Sequence, residues 1–464
     1  MAVIIPFRGV LYNTAKVGKI SSVIAPPYDV ISSKYQDELY ARHPNNFVRI
    51  ELNKTAPEDK EGSDRHSRSA ELLNKWIAEG VLKRDDKPAI YYYTQTYKLK
   101  DVTTQVRKGF IALAKLEDLG KGIHPHEKTL SGPKADRLKL MQATDSNMSC
   151  IFSLYSEPKL TINSLIETSL KGAAPSIDVR DDEGVENRFW RVVDADVISK
   201  VAMAMDNKAL FIADGHHRYE TALNYRNMMR ESSIKGGITP KHTGAEPYNF
   251  VMMYFSNMDD QGMTIWPTHR VVHGLQGFTA AGFLGKCREH FNVREFKFSD
   301  SGEYGSVRNE FLSNLEASGK GKISIGLSIR GAGSYYVLIL KAKDTMQKVF
   351  GNTIPDVFKN LDVTVLHSLI LGRALGISQE AQEKQQNLLY VTRCDDALDA
   401  VNKDNNQLVF LLNPTRVEQV KAAAEAGFVM PQKSTYFYPK LLSGLVINLL
   451  DGKQPKQVMD TSKV

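Results

Sequence analysis

The segment Ala213–Leu223, ADGHHRYETAL, constrains the fold of this chain more than any other. It follows the apolar run Ala209–Ala213, which is typical of a buried strand, and it opens a pattern with apolar residues at helical spacing. Asp214 and Gly215 form a turn pair between the two, and Asp is also a favoured residue at a helix start. The sequence therefore predicts a strand, a tight turn and a helix start in immediate succession.

The predicted helix start carries an unusual amount of positive charge. Its first turn holds His216, His217 and Arg218, although that turn already offers unpaired N–H groups and the positive end of the helix dipole. Added cations are unfavourable there unless an anion lies opposite, so the pattern favours a phosphate-binding turn. Two alternatives stay open: a capped helix with solvated side chains, and a metal site in which His216 and Glu220 share one face.

A second polar cluster surrounds Asp29. The preceding Pro26 and Pro27 restrict the backbone, so this short carboxylate is held in one direction. A carboxylate held in this way is suited to act as a general base, or to lie beside a metal-bound nucleotide. The alternative is that Asp29 caps the helix predicted to begin near Ser32.

The loop from His124 to Arg137, HPHEKTLSGPKADR, is a third candidate. Lys134 and Arg137 are three residues apart on a predicted helix and can point in the same direction. The loop is therefore equipped to close over a phosphate, and the alternative is an ordinary solvated loop.

A fourth cluster, Trp266–Gly274, places Thr268, His269 and Arg270 at a predicted strand edge. It is either a polar site or an ordinary strand edge. The lysine and tyrosine residues at 433–440 form a less specific candidate of the same kind.

Charge and cysteine content exclude several classes of protein. The 464 residues carry a formal charge of only +7, and no basic arm is present, so nucleic-acid binding is not favoured. The three cysteines include no CxxC pair, which argues against a disulfide scaffold and a structural zinc site. The chain has no Walker, Rossmann, zincin or α/β-hydrolase signature.

The sequence also bears on location. The N-terminal apolar run is short and has no basic segment before it, so no signal peptide is predicted. The apolar stretch Leu441–Leu450 is too short to cross a bilayer. We therefore expect a cytoplasmic protein without a membrane partner.

Helix and strand patterns are mixed without regular βαβ units, which predicts an α+β fold with two lobes. The polar gap Ser232–Pro247 suggests a boundary, with lobes at 1–240 and 241–464. Helices are expected near residues 35–42, 64–80, 134–142, 283–290, 307–315 and 363–375. Strands are expected near residues 90–97, 107–114, 150–155, 250–255 and 337–340.

The turn itself resembles a known superfamily. DGHHRYETA is similar to the turn of sulfiredoxins and to the arginine turn of ParB N-terminal domains, which binds nucleotide phosphates at a helix start. The resemblance implies a ParB/sulfiredoxin-like nucleotide-binding core with large insertions, and a second mixed α/β lobe that covers the cleft. Sulfiredoxins carry a cysteine where this chain has His216, so sulfinic acid reduction through that residue is excluded.

Nearly the whole chain also resembles a widespread, uncharacterised family of about this length. The segments that carry this resemblance are PFRG, APPYDVI, HEKT, GPKADR, ADGHHRYETAL, PTHR and MPQKSTYFYPK. The family looks related to kinases that phosphorylate free L-serine. The resemblance therefore implies phosphoryl transfer from ATP or ADP to L-serine, giving O-phosphoserine.

The resemblance also implies roles for individual residues. Asp29, His217 and Arg218 would be catalytic, with Asp29 as the base and Arg218 neutralising the moving phosphoryl group. Nucleotide phosphates would be bound by a larger set: Asp214, Gly215, His216, His217, Arg218, Lys134 and Arg137.

Substrate and metal binding complete the prediction. Tyr28, Thr268 and Arg270 would bind the substrate, and Mg²⁺ would be held by Asp214 or Glu127. Whether the segments 126–137 and 430–440 reach the cleft stays open, as does the formation of a homodimer.

Two other functions stay open. The first is a nucleotide-binding switch or a nucleic-acid-associated protein of the ParB type. The second is a metal-dependent hydrolase that uses a set of histidines: His124, His126, His216 and His217.

Overall fold

The computed structural model describes residues 2–99, 103–127, 131–235, 243–298, 304–428, 430–431 and 433–452. The contacts divide the chain into two compact units. Unit 1 comprises Met1–Pro125, Thr129–Met263 and Pro439–Val464, and unit 2 comprises His126–Lys128 and Thr264–Tyr438.

The strands are numbered in chain order. They are β1 Ile4–Ile5, β2 Val10–Tyr12, β3 Leu82–Arg84, β4 Ile90–Leu99, β5 Thr103–Lys115, β6 Ile123–His124, β7 Ser146–Asn147, β8 Ile151–Tyr155, β9 Ile177–Arg180, β10 Glu186–Val192, β11 Leu210–Asp214, β12 Phe250–Asn257, β13 Thr264–Trp266, β14 His269–His273, β15 Phe291–Lys297, β16 Ser324–Ile329, β17 Ser334–Leu340, β18 Leu388–Val391, β19 Asn406–Leu412, β20 Tyr436–Tyr438 and β21 Asn448–Leu449.

The α-helices are numbered in the same way. They are α1 Thr14–Val17, α2 Ser33–Arg42, α3 Val48–Glu51, α4 Arg65–Ala78, α5 Ser131–Thr144, α6 Thr161–Ser169, α7 Ala195–Met205, α8 His216–Lys235, α9 Ala280–His290, α10 Tyr304–Gly319, α11 Thr345–Phe350, α12 Asp356–Lys359, α13 Asp362–Val365, α14 Gln379–Glu383, α15 Cys394–Ala400 and α16 Val417–Glu425. Short 3₁₀-helices cover Ile20–Ser22, Tyr28–Val30, Pro247–Asn249 and Gly351–Thr353, and a π-helix covers Leu366–Ala374.

Unit 1 is built around a mixed sheet of nine strands among its described residues. The strand order is β6-β11-β8-β12-β5-β4-β10-β9, with β1 pairing the end of β5. Strand β11 runs parallel to β6 and antiparallel to β8, and β12 runs parallel to β8. Strand β12 is buried along its whole length, as expected for a central strand. The sheet therefore holds the end of β11, and the start of α8, within the body of unit 1.

Described residues of unit 1 form two hydrophobic cores. One packs α6, α7 and α8 against the sheet, and includes Tyr155, Phe255 and Tyr219. The other lies among α2, α3 and α4, with Phe47 and Trp76 buried at its centre. Helix α5 contacts both α4 and α8, so it connects the helices of the second core with the helix that begins at His216.

Unit 2 contains a six-stranded antiparallel sheet within the described residues, in the order β15-β17-β16-β19-β14-β18. Helices α10 and α15 pack on it around a core that includes Phe311, Tyr335 and Leu411. Strands β13 and β20 form a separate two-stranded ribbon, in which the Trp266 and Tyr438 rings stack 3.7 Å apart.

The two units do not follow the predicted boundary at residue 240. Strand β12 lies beyond the polar gap, yet it pairs with β5 and β8 in the sheet of unit 1. The segment that begins at Pro439 also belongs to unit 1. The gap therefore does not mark the boundary between the units, because polar composition marks loops as well as boundaries. Residues 236–242 of the gap lie outside the described residues.

Most of the predicted elements agree with the structure, which is mixed α/β with several sheets. One helix differs: the pattern over 363–375 predicts a single α-helix, whereas α13 ends at Val365 and a π-helix follows over Leu366–Ala374. A π-helix adds one residue per turn, which the spacing of apolar residues does not distinguish over so short a segment. Among the described residues, no helix is long and apolar enough to cross a membrane.

A partly buried carboxyl group in unit 2 gives a testable pH dependence. Asp362 begins α13, and burial raises its pKa to about 7, although a hydrogen bond from Asn413 and the charge of Arg416 oppose the shift. Because this pKa is above its ordinary value of 3.8, the group destabilises the folded state as the pH rises from about 4 through 7. We expect Asp362→Asn to stabilise the protein at about pH 8 and to change little near pH 4.

Urea denaturation of the wild type and of Asp362→Asn at both pH values measures this difference. A variant that is less stable than the wild type at pH 8 would show that the carboxylate is favourable where it lies.

Candidate functional site

The turn between β11 and α8 requires glycine. Gly215 has φ +90°, a conformation that residues with a side chain rarely adopt. A Cβ atom at this position would also lie 2.9 Å from Nε of Arg218, which folds back over the turn. Gly215 therefore allows the guanidinium group to pack directly on the backbone at the start of a 20-residue helix.

Asp214 lies at the end of β11 between two cations. Its Oδ1 accepts the Gly215 N–H at 2.9 Å, while its Oδ2 is 3.2 Å from Nζ of Lys440 and 3.7 Å from Nη2 of Arg218. Burial favours the neutral acid, but the Lys440 and Arg218 charges outweigh it and hold the pKa of Asp214 well below its usual value. Asp214 is therefore ionised, and it orients both cations.

Arg218 is nearly buried, with 13% of its side chain exposed. Its Nη1 donates to the Cys150 carbonyl and to Oγ of Ser149 at 3.2 Å, whereas Nε is buried without a hydrogen-bond partner among the described residues. Burial lowers the pKa of the guanidinium, but Asp214 and Asp29 are among the charges that raise it above its ordinary value. The site therefore contains a fixed cation with one donor unused.

Arg137 on α5 is a second fixed guanidinium. It packs 4.2 Å above the Tyr28 ring, and its Nη1 donates to the Glu51 carbonyl at 2.8 Å. Its Nε and Nη2 both donate to Oδ2 of Asp136, at 3.0 and 2.6 Å. These contacts hold Arg137 in one orientation beside Tyr28.

His66 lies between the carboxylates of Asp64 and Asp136, and Asp136 in turn holds Arg137. Nδ1 of His66 is 3.0 Å from Asp64, and Nε2 is 2.9 Å from Oδ1 of Asp136. Asp64 also begins α4 by accepting the N–H groups of His66 and Ser67, as expected of a capping box. The chain of contacts runs from the start of α4 through His66 and Asp136 to Arg137.

This network predicts a pH dependence of stability. The hydrogen bond to Asp136 raises the pKa of His66; burial opposes the shift, and Asp64 adds to it. Because the folded pKa is raised, the stabilisation is complete below about 6.5 and is lost as the pH rises through the shifted pKa. We expect the difference in unfolding free energy between wild type and His66→Gln to shrink from about pH 6 to about pH 9.

Urea denaturation across this pH range provides the measurement. A difference that stays constant with pH would mean that the imidazole supports Arg137 only in its neutral form.

A cavity of about 50 Å³ lies between Arg137 and Arg218. Glu51 also lines it, is only 2% exposed, and has an Oε2 atom without a hydrogen-bond partner among the described residues. Sequence reasoning missed Glu51, although a carboxylate directly between the apolar residues Ile50 and Leu52 is a usable signal.

The structure brings together most of the predicted residues of unit 1. Tyr28 interacts electrostatically with Asp29, Arg137 and Arg218. Asp29 also interacts electrostatically with Arg218. Asp29 is exposed on the 3₁₀-helix Tyr28–Val30. The alternative that Asp29 caps the following helix is wrong, because Oγ of Ser32 caps α2 by accepting the Tyr35 N–H at 3.2 Å.

Lys134 and Lys440 occupy different positions around the turn. Nζ of Lys134 donates to Glu220 on α8 at 2.7 Å, so Glu220 is engaged by a cation.

His216 is 7% exposed, and His217 is partly exposed. In the described part of the chain, no group of three or more His, Cys, Asp or Glu residues could hold a metal ion.

Three predicted residues, Glu127, Thr268 and Arg270, belong to unit 2. Arg270 is fully buried; its Nη groups donate to the carbonyls of Thr268 and Lys433, and burial lowers its pKa to about 10. Thr268 is 4% exposed. Protein groups surround both side chains, and substrate binding by Arg270 and Thr268 stays a prediction.

Asp214 and Glu127, the predicted Mg²⁺ ligands, are poorly suited to bind that ion. Asp214 already accepts the Gly215 N–H and forms ion pairs with Lys440 and Arg218. Mg²⁺ requires oxygen ligands whose negative charge is not already neutralised by neighbouring cations. Oε1 of Glu127 accepts the Ser434 N–H at 3.0 Å. Lys128 and Thr129 of the HEKT segment lie outside the described residues.

Comparison with known protein families identifies one family for this chain. A sequence model of the family described as "Protein of unknown function (DUF1015)" matches residues 4–364. No curated protein matches the chain.

Similar solved structures include a conserved hypothetical protein from Pyrococcus furiosus, with 13% identity, a TM-score of 0.34, and coverage of 74% of this chain and 97% of that one. A mutant free serine kinase in complex with AMP has 12% identity, a TM-score of 0.31, and coverage of 70% and 87%. SbnI with C-terminal truncation from Staphylococcus aureus has 10% identity, a TM-score of 0.34, and coverage of 76% and 94%. These values describe a distant likeness.

Proposed function

This chain belongs to the DUF1015 family, and we propose that it transfers a phosphoryl group from ATP or ADP to the hydroxyl of free L-serine, giving O-phosphoserine. One observation carries the proposal: Arg218 is locked over Gly215 at the start of α8, with a buried Nε that has no partner among the described residues. The choice of L-serine follows from the sequence resemblance to free serine kinases. The ParB/sulfiredoxin-like core is part of the same proposal.

The phosphate groups of the nucleotide would lie against the β11–α8 turn. Three features there favour an anion: the start of a long helix, the guanidinium of Arg218 and the ammonium of Lys440. Gly215 lets the Arg218 guanidinium lie directly on the turn, where it would face the phosphate groups. Arg137 and His217 would add charge from the side, and Lys134 would steady α8 through Glu220.

Phosphoryl transfer needs positioning and charge neutralisation more than covalent help from the protein. The serine hydroxyl oxygen would attack the terminal phosphorus while the bond to the leaving nucleotide oxygen breaks. The exposed carboxylate of Asp29 would accept the hydroxyl proton, and Arg218 would balance the charge on the moving group. Mg²⁺, where needed, would be bound mainly by phosphate oxygens of the nucleotide.

The direct test is a product assay with the full chain. The protein is incubated with Mg²⁺, L-serine and either ATP or ADP, and products are identified by ³¹P NMR and mass spectrometry. We expect O-phosphoserine together with ADP from ATP, or with AMP from ADP. D-Serine and L-alanine serve as acceptor controls.

The outcomes separate the proposal from its alternatives. Nucleotide that binds without any serine-dependent product would favour the nucleotide-binding switch and contradict the kinase. Nucleotide hydrolysis that is lost on chelation and independent of serine would favour the metal-dependent hydrolase.

A further inference from the structure

Unit 2 contains a cavity of about 560 Å³. This volume is within the range of small-molecule sites, roughly 300–1,000 Å³. None of the residues that we propose for phosphoryl transfer lines it. The cavity is therefore a feature separate from the β11–α8 turn.

The walls of this cavity are mainly aromatic and apolar. Phe350, Phe358 and Tyr390 contribute rings, and Ile354 and Pro355 lie beside them. The π-helix Leu366–Ala374 contributes a further wall through His367, Ser368 and Gly372. Ring faces and aliphatic groups favour a flat, apolar ligand.

One lining residue carries a buried polar atom that has no hydrogen-bond partner in the described part of the chain. Thr364 on α13 is 6% exposed, and its Oγ1 makes no hydrogen bond to the described residues. A buried hydroxyl without a partner has lost its hydrogen bonds to water and gained none in exchange. A ligand that forms a hydrogen bond with Oγ1 replaces one of those lost bonds.

His367 adds a neutral polar group to the same lining. Its Nε2 accepts a hydrogen bond from Nε of the buried Arg270 at 3.3 Å. Burial lowers the pKa of His367 to about 3, and the charge of Arg270 lowers it further in the same direction. The imidazole is therefore uncharged at neutral pH.

The charges around the cavity disfavour an anion. No described lining residue is a lysine or an arginine, and Glu383 contributes an exposed carboxylate. Arg270 lies behind His367 and Tyr390, with its Cζ 4.5 Å from the Tyr390 ring centre, and it does not line the cavity. Nucleotides and carboxylic acids therefore lack a cation to pair with here.

We propose that this cavity binds an uncharged aromatic small molecule that presents a hydrogen-bonding group to Thr364. Such a ligand places its ring between Phe350, Phe358 and Tyr390.

The test uses indole as the probe, because it is flat, uncharged and carries a single N–H donor. Isothermal titration calorimetry on the full chain is expected to give a Kd on the order of 1 mM or tighter. Indole-3-acetate, which adds a negative charge to the same ring, is expected to bind at least about tenfold more weakly.

Two substitutions at one position separate the hydroxyl from the shape of the cavity. Thr364→Val keeps the shape and removes the hydroxyl, and is expected to weaken indole binding about five- to tenfold. Thr364→Ser keeps the hydroxyl and is expected to stay within about threefold of the wild type. Ser368→Trp fills the cavity and is expected to abolish binding, with circular dichroism as the check on folding.

Three results would overturn the proposal. They are the absence of indole binding up to its solubility limit, equal binding by Thr364→Val and Thr364→Ser, and tighter binding of indole-3-acetate than of indole. Binding that persists in folded Ser368→Trp would place the probe elsewhere and would also overturn it.

Discussion

Arg218→Ala is expected to lower kcat/KM for serine phosphorylation by about 10³-fold or more, the range seen when an arginine that neutralises a transferring phosphoryl group is removed. The fold should survive, because Asp214 keeps its ion pair with Lys440 at 3.2 Å and is not left as an unpaired buried charge. Steady-state kinetics with saturating nucleotide measure the loss, and Arg218→Lys should restore only part of the activity, since an ammonium group lacks the planar fork of donors.

Arg226 provides a matched control for this substitution. It lies on the same helix, is 7% exposed, and donates to the Leu116 carbonyl at 3.0 Å and to Asp118 at 3.2 Å. Arg226→Ala should therefore reduce stability without a comparable loss of kcat. If Arg218→Ala and Arg226→Ala lose activity only in proportion to lost stability, Arg218 has no direct role in the transfer.

Asp29→Asn is expected to lower kcat by about 10²–10⁴-fold while nucleotide affinity stays within a few-fold of the wild type. The carboxylate is exposed on a short 3₁₀-helix, so its removal should change unfolding free energy by no more than about 0.5 kcal/mol. Single-turnover kinetics and nucleotide titration of the same preparation measure the two quantities separately.

Two other carboxylates make this experiment discriminating. Glu51→Gln tests the buried carboxylate that lines the cavity with Arg137 and Arg218, and Glu127→Gln tests the predicted metal ligand in unit 2. We expect Asp29→Asn to have the largest effect on kcat of the three. A larger loss in either of the others, with Asp29→Asn active, would show that the base has been assigned to the wrong residue.

Local patterns predicted the parts of the site that are adjacent in sequence. The strand, the turn and the helix at Asp214–Arg218 follow from an apolar run, a turn pair and helical spacing, and all three are present. The pairing of Lys134 with Glu220 could not be derived in that way, because the two residues are 86 positions apart. Lys440 is further still from Asp214, at 226 positions, and no local rule connects them.

Burial was the harder property to predict. Arg270 follows two other polar residues, Thr268 and His269, and this pattern indicates a strand edge. The residue is nevertheless fully buried in β14, which lies between β18 and β19. A charged residue in a strand is normally assigned to the surface, and only the packed structure shows that backbone carbonyls surround it. Glu51 was missed for the same reason.

The return of the chain to unit 1 has a consequence for its synthesis. Residues from Pro439 onwards contribute Lys440 beside Asp214, accept hydrogen bonds from Arg107 and Gln95 through backbone carbonyls, and pair β21 with β7. Ribosomes make the roughly 175 residues of Thr264–Tyr438 first, which takes on the order of ten to thirty seconds. During that interval Asp214 and Arg218 lack the lysine that later lies beside Asp214, so the turn between β11 and α8 reaches its final charge balance only after Lys440 has been made.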